Sequence, residues 1–319
     1  MKLLISGASS ADELPGFDPS AIDADVCFAP ERSDLQRELP GTEVLLGWNF
    51  RGGDLEACWS QVDALRWINW CGAGVDATLF SGLVESDVEL TNARGIFDTA
   101  MAEDVLGYML HIVKHVPLTM QSQREGEWKY RLTRRLTGQR AAIYGVGSIG
   151  REVARVLDAL GVETVGIGRS ERDDTQFGRI RANSDALAIA GEVDWVVGVM
   201  PSTAATQNFF DASFFAAMQP HAHFINIGRG SAQDEVALQT ALREGQIAGA
   251  MLDVFKQEPL PQDSALWNTP NLFVSPHISG DYAGFESDMV RLFLDNLGRY
   301  LNGEPLRNVI DKQLGFVRS

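Results

Sequence analysis

The chain has 319 residues and is 45% hydrophobic, enough to bury the cores of two domains at roughly 100 to 200 residues each, which excludes an intrinsically disordered chain. With 27 Lys and Arg against 43 Asp and Glu it carries a formal net charge of -16, so a polyphosphate duplex meets net repulsion and nucleic acid is excluded as a primary partner. Cys27, Cys58 and Cys71 are an odd, widely spaced set without a C-x-x-C pair, which points away from disulfide, zinc and redox motifs and towards a reducing compartment.

The apolar run behind Lys2 is only Leu3-Leu4-Ile5, short of the roughly 7 to 15 residues of a signal-peptide core, and no run approaches a membrane span. A cytoplasmic protein with no membrane partner is expected. From there the chain alternates short apolar or β-branched runs with longer amphipathic stretches, the pattern of helices covering both faces of a parallel sheet. Strands are predicted at Leu3 to Ser6, Glu43 to Leu46, Leu65 to Trp70 and Val88 to Thr91, making a small α/β domain. A long helix follows with Val105, Leu106, Met109, Leu110 and Val113 on one face, leading to Pro117 and then to a basic loop from Lys129 to Arg140. That helix is read as the crossing into a second domain.

The second βα series begins with a strand at Ala141 to Tyr144 and continues at Thr164 to Ile167, Trp195 to Met200, His223 to Ile227, Ala248 to Asp253 and Leu272 to Ser275. Six strands suffice for a dinucleotide-binding sheet. The last amphipathic helix, about Tyr282 to Leu301, is expected to return to the first domain. The fold class is therefore α/β in two domains: a Rossmann-type doubly wound parallel sheet over residues 98–282, and a smaller flavodoxin-like substrate domain formed by residues 1–97 with 283–319.

The strongest local signal is Gly145-Val146-Gly147-Ser148-Ile149-Gly150, lying between a predicted strand and a helical pattern with Val153, Ala154, Leu157 and Leu160. Gly145 allows the tight turn, Gly147 the approach of a pyrophosphate, and Gly150 the packing of helix on strand, with the amides around Ser148 and Ile149 facing the anion. A glycine-rich turn alone is weak evidence; the strand before and helix after are what make this a dinucleotide site. At the end of the next strand an acidic residue would hold the adenosine ribose hydroxyls, but the chain reads Ile167-Gly168-Arg169-Ser170. Arg169 and Ser170 offer charge-assisted and hydroxyl hydrogen bonds to a 2'-phosphate, so NADP(H) is expected in preference to NAD(H). The plainer alternative is that Arg169 is a solvated surface arginine.

Three further segments, Ile225-Asn226-Ile227-Gly228-Arg229-Gly230, Leu252-Asp253-Val254-Phe255-Lys256-Gln257-Glu258-Pro259 and Ser275-Pro276-His277, resemble the D-2-hydroxyacid dehydrogenases, nearest to their short glyoxylate/hydroxypyruvate reductase branch. The resemblance runs from about Leu65 to the C-terminus, includes Cys71-Gly72-Ala73-Gly74-Val75-Asp76, and is weak before about residue 45. It implies that Arg229 binds the carboxylate and carbonyl of a small 2-oxo acid, that His277 is the proton donor, and that Glu258 pairs with His277. It also implies substrate contacts at Trp48, Ala73 and Gly74, cofactor contacts at Pro201, Thr206, Ile227, Gly228 and Asp253, a D-configured 2-hydroxy acid as product, and a homodimer. The chemistry agrees: hydride arriving at a carbonyl carbon leaves charge on oxygen, which needs a cation and a proton source beside it. Arg229 has the planar fork that suits a carboxylate, and a carboxylate beside His277 favours its imidazolium form.

Singly, each of these three residues also reads as structural: a loop histidine, a solvated turn acid, an arginine serving the fold. Their order, each at the C-terminal end of a predicted strand, is where open α/β sheets place ligands. Alternatives with the same residues are a 3-phosphoglycerate dehydrogenase-like enzyme, whose usual acidic residue is missing at Gly168, and a cofactor-sensing protein resembling the C-terminal binding protein corepressors. The formate dehydrogenase branch carries glutamine at the position of Glu258. His111 and His115 lie four apart on the predicted long helix but lack a third ligand, so no metal is assigned. His221 and His223 are read as structural.

Overall fold

The structure is a computed structural model describing residues 1–48 and 52–317. The chain divides into two compact units, Met1–Phe97 with Tyr282–Ser319, and Asp98–Asp281.

In the first unit, β1 (Lys2–Ser6), β2 (Asp25–Ala29), β3 (Val44–Gly47), β4 (Trp67–Trp70) and β5 (Glu89–Thr91) form a parallel sheet in the order β2-β1-β3-β4-β5. This is the flavodoxin-like strand order. The central strands read as unbroken apolar runs because both faces are covered: every residue of β3 and β4 is buried, as are Leu3, Leu4 and Ile5. β2 was not predicted. It is an edge strand in which only Ala29 is buried, so it lacks the apolar signature of its neighbours.

The helix Phe285–Leu301 packs within this unit through aromatic contacts. The Trp67 ring centroid lies 5.6 Å from that of Phe293 and 5.5 Å from that of Tyr300, and the Trp67 indole donates to Thr91 Oγ1 at 2.9 Å. The Tyr300 hydroxyl donates to Glu43 at 2.8 Å. Two turns of helix thereby bring two rings onto Trp67.

The second unit holds β6 (Arg140–Tyr144), β7 (Glu163–Gly168), β8 (Arg172–Asp174), β9 (Gly178–Ala182), β10 (Trp195–Gly198), β11 (His223–Asn226), β12 (Gly249–Leu252) and β13 (Leu272–Val274). Their order is β13-β12-β11-β10-β6-β7-β9-β8, parallel except for the antiparallel pair β8 and β9. The chain starts at β6 and winds outwards both ways, so the topological switch falls between β6 and β10. Eight strands replace the six predicted. The two missed strands form an edge hairpin whose only buried residue is Ile180, and charged edge residues carry no hydrophobic period.

The helix Asp98–Val113 belongs to this unit and buries Met101, Ala102, Val105, Tyr108, Met109 and Val113. The expected stripe is thus corrected: Leu106 is half-buried and Leu110 is exposed, while Tyr108 turns inward against Trp195 and Phe273, with ring centroids 6.5 and 6.0 Å away. Pro117 opens a second helix, Val116–Glu125, and His115 at its N-cap has φ +52°. His111 and His115 therefore sit on either side of a helix break, not on one helical face. Among the described residues no helix is long and apolar enough to cross a membrane, and no three His, Cys, Asp or Glu form a metal-binding group.

Phe293 is fully buried beneath Trp67, and truncation leaves a cavity that a ring-packed core closes poorly. Phe293→Ala should lower unfolding free energy by about 3–5 kcal/mol, measured by urea titration followed by tryptophan fluorescence.

Candidate active site

β6 delivers the chain into Gly145 at φ +113°, where a Cβ would lie 2.4 Å from the Val199 carbonyl oxygen. At Gly150 a Cβ would lie 2.0 Å from the Gly145 carbonyl oxygen, so the helix can approach the turn only without a side chain. Gly147 is exposed, with nothing within 4 Å of its Cβ position, and is the N-cap of the twelve-residue helix Ser148–Ala159 without a side-chain cap. A helix N-terminus reached across an open glycine concentrates amide donors and positive dipole, and this fits a dinucleotide pyrophosphate. The Ser148 hydroxyl donates to Asp98 at 3.2 Å, and Ile149 is half-buried. Beyond β7, Gly168 is followed by Arg169 and Ser170, both exposed.

The loop after β10 is held together by Thr206, one of the expected cofactor contacts. Its hydroxyl donates to the Pro201 carbonyl at 2.7 Å and accepts from the Thr203 amide at 2.9 Å, and the residue is 9% exposed. Thr206 braces this loop from inside; Pro201, at its outer face, is exposed.

β11 ends at Asn226, whose amide group organises the next turn. Asn226 Oδ1 accepts from the Gly228 amide at 2.9 Å, and Nδ2 donates to the Arg229 carbonyl at 3.0 Å and to Gln233 Oε1 at 2.7 Å. Gln233 passes the link on, donating to the Val254 carbonyl at 3.0 Å. Both residues are essentially fully buried, and a buried amide side chain stays only where its donors and acceptors are met. Sequence reasoning missed them as positioning residues, although polar side chains at the end of an apolar strand were the available signal. Ile227 is buried, its amide donating to the Gly198 carbonyl at 3.1 Å. The half-buried Arg229 guanidinium donates to the Gly228 carbonyl at 2.9 Å.

Glu258 faces two ways. Oε1 accepts from the Phe255 amide at 2.8 Å, and Oε2 lies 2.7 Å from His277 Nδ1. The hydrogen bond to Glu258 raises the His277 pKa above its ordinary value, against burial and against the charge of Arg229. Burial pushes Glu258 up, but the hydrogen bonds from His277 and the Phe255 amide, with the charges of His277 and Arg229, leave it below the ordinary carboxylate range. Arg229 thus lies close enough to act electrostatically on both partners. The His277 side chain is 50% exposed, which leaves its far nitrogen, Nε2, as the proton-bearing atom available to a substrate.

His277 itself has φ +55°, a conformation that non-glycine residues adopt only when their surroundings enforce it. Asp253 supplies the enforcement. Its two carboxylate oxygens accept from the Ile278 and Ser279 amides, each at 2.9 Å, and its side chain is wholly buried. Asp253, expected as a cofactor contact on the nicotinamide side, also clamps the segment that carries His277. Asp104 lies nearby with a buried oxygen that finds no partner among the described residues; burial and the Asp253 charge push its pKa up to about 6. Of this pair, Asp253 keeps the charge, held down against burial by its hydrogen bonds.

In the first unit, Trp48 follows β3, its amide donating to the Ser6 carbonyl at 2.9 Å. The carbonyls of Gly72, Ala73 and Gly74 accept from the Ala93 amide at 3.0 Å, Asn92 Nδ2 at 2.6 Å and Trp70 Nε1 at 3.1 Å. The structure brings Arg229, Glu258 and His277 together beyond β11, β12 and β13 of one sheet. His221 and His223 stand apart from them: His221 is exposed and bonded to Asp194 at 3.0 Å, whereas His223 stacks on Trp195 and is pushed down to about 4 chiefly by burial.

Residues 106–279 match the family model described as D-isomer specific 2-hydroxyacid dehydrogenase, NAD binding domain. Glyoxylate/hydroxypyruvate reductase B of Pectobacterium carotovorum subsp. carotovorum (strain PC1) is 31% identical over 256 residues, spanning 78% of this chain and 80% of that protein. A D-isomer specific 2-hydroxyacid dehydrogenase family protein from Aeromonas salmonicida subsp. salmonicida superposes with a TM-score of 0.85 at 32% identity, covering 98% of this chain and 99% of the other. The NADPH-dependent glyoxylate/hydroxypyruvate reductase of Sinorhizobium meliloti, solved with NADP and sulfate, gives a TM-score of 0.84 at 27% identity and covers 99% of both chains. By the family match and by these relatives, the chain belongs to the D-isomer specific 2-hydroxyacid dehydrogenases.

Proposed function

We propose that this protein reduces a small 2-oxo acid, of the size of glyoxylate or hydroxypyruvate, to the D-2-hydroxy acid, with NADP(H) in preference to NAD(H). The observation that carries the reading is the 2.7 Å contact between Glu258 and His277, under the charge of Arg229. The dinucleotide, when bound, supplies the hydride. Its pyrophosphate would be held at Gly145, Gly147, Ser148, Ile149 and Gly150, its 2'-phosphate by Arg169 and Ser170, and the remainder beside Pro201, Ile227 and Gly228.

The protein's own part is positioning and proton transfer. Arg229 engages the substrate carboxylate with its fork and stabilises the charge that grows on the carbonyl oxygen. His277 delivers a proton from Nε2 to that oxygen, while Glu258 fixes the ring and balances the imidazolium. Trp48, Ala73 and Gly74 of the first unit are the further substrate contacts that the family resemblance implies. In the reverse direction His277 is the base.

NADPH oxidation measured against glyoxylate, hydroxypyruvate, pyruvate and bulkier 2-oxo acids tests this directly; no turnover with any of them refutes it. His277→Ala should lose about 10²-fold or more in kcat/KM while retaining NADPH affinity. Since the hydrogen bond to Glu258 raises the His277 pKa, reduction should fall as pH climbs through that raised value, and oxidation should rise. Glu258→Gln should move the falling limb to lower pH; a limb that stays put contradicts the pairing.

We also propose that the protein works as a homodimer in the cytoplasm, where its three free cysteines stay reduced. The support is an extended segment between the helix Val116–Glu125 and β6, on which Trp128, Tyr130 and Leu132 are 99%, 85% and 80% exposed. Large side chains alternating along this segment call for a covering surface, and Arg131, Arg134 and Arg135 beside them suit an acidic one, as a second copy of this chain at net charge -16 provides. Sedimentation should give twice the 34.9 kDa chain mass, and Trp128→Glu with Leu132→Glu should return the monomer.

A further inference from the structure

The segment that carries His277 also carries an acid. From His277 the chain reads Ile278-Ser279-Gly280-Asp281. The Ile278 and Ser279 amides are taken by the Asp253 carboxylate, and the Asp281 amide then donates back to the Ile278 carbonyl at 2.9 Å, which closes a turn. The clamp that fixes the imidazole therefore fixes the backbone of Asp281 as well.

Asp281 differs from the other acids around His277. Glu258 is spent on His277 Nδ1 at 2.7 Å and on the Phe255 amide, and Asp253 is wholly buried on its two amides. Asp281 is exposed, and among the described residues its carboxylate forms no hydrogen bond and no ion pair. Partial burial raises its pKa; the charge of His277 pulls against that rise, and the charge of Asp253 adds to it. Asp281 and His277 thus lie within electrostatic reach of one another.

The two cations of this site are committed once a 2-oxo acid is bound: Arg229 holds its carboxylate, and His277 faces its carbonyl oxygen. A substituent on C3 stands one bond from the carbonyl carbon and enters the same field, where the charge left without a partner among the described residues is that of Asp281. We propose that Asp281 is a charge filter for the substrate: it turns away 2-oxo acids with a second, distal carboxylate and admits those whose distal group is uncharged. This inference rests on the 2-oxo acid reductase reading above and deepens it by naming the charge class of the substrate. The first carboxylate escapes the repulsion because Arg229 neutralises it, whereas a second one meets a like charge with no cation to offset it.

Freshly dissolved oxaloacetate and 4-methyl-2-oxopentanoate test it, because their carboxymethyl and isobutyl groups are alike in shape and differ in charge. The ratio of their kcat/KM values with NADPH is measured at about pH 7.5, where both carboxylates of oxaloacetate are ionised; taking the ratio cancels any effect of a substitution on His277 itself. The wild type should favour the uncharged acid by about tenfold or more, and Asp281→Asn should narrow the ratio by about tenfold. Asp281→Lys should carry it further towards oxaloacetate, and added salt should narrow the wild-type ratio. A wild-type ratio near one, or a ratio that Asp281→Asn leaves in place, overturns the filter while the turnover itself keeps the reductase reading. Where neither acid reacts, the same ratio is read from their inhibition of glyoxylate reduction; a pair that neither reacts nor inhibits marks the pocket walls as the selector and overturns the filter. No turnover with any 2-oxo acid sinks the reductase reading and this inference with it.

Discussion

The buried carboxylate of Asp253 is the constraint on which the rest of the site depends. His277 sits at φ +55°, where a side-chain-bearing residue is strained, and the two residues after it are fixed by hydrogen bonds to Asp253. Without that clamp the loop would relax, and the imidazole would leave the 2.7 Å contact that orients it. Asp253 can stay ionised in the interior because its oxygens meet amide donors, while the unsatisfied Asp104 beside it gives way and takes the raised pKa.

A second constraint is topological. Parallel strands end at the same edge of a sheet, so β6, β7, β11, β12 and β13 all release their loops on one side. The glycine turn, the Arg169 segment, the Arg229 turn, Glu258 and His277 run from Gly145 to His277 along the chain and share that side for this reason alone. Asn226 and Gln233 then tie the Arg229 turn to the segment following β12. These amide links form a buried polar network with all its groups met, which gives the loops a single arrangement.

Electrostatics completes the division of labour within the second unit. Glu258 lies between a histidine it stabilises as a cation and an arginine that lowers the pKa of both. The edge hairpin shows a different logic: its acids are spent on arginines, Glu171 on Arg179, Asp185 on Arg181 and Asp174 on Arg151 of the phosphate-binding helix.

The sequence by itself determined what local periodicity and turn chemistry encode. The strands buried on both faces declared themselves as unbroken apolar runs, and the glycine turn was legible because its three glycines answer three separate steric demands. The order of Arg229, Glu258 and His277 was legible too, through the resemblance of their segments to the D-2-hydroxyacid dehydrogenases. The edge strands were not: Asp25–Ala29 and the hairpin around Ile180 bury too little to show a period. Only the tertiary structure decided which face of the helix Asp98–Val113 turned inward, because Tyr108 follows Trp195 and Phe273, residues remote in sequence. It likewise turned Asp253 and Thr206 into internal braces. A hydrogen-bond partner or a steric vacancy is set by what the folded chain brings alongside, and no local pattern records it.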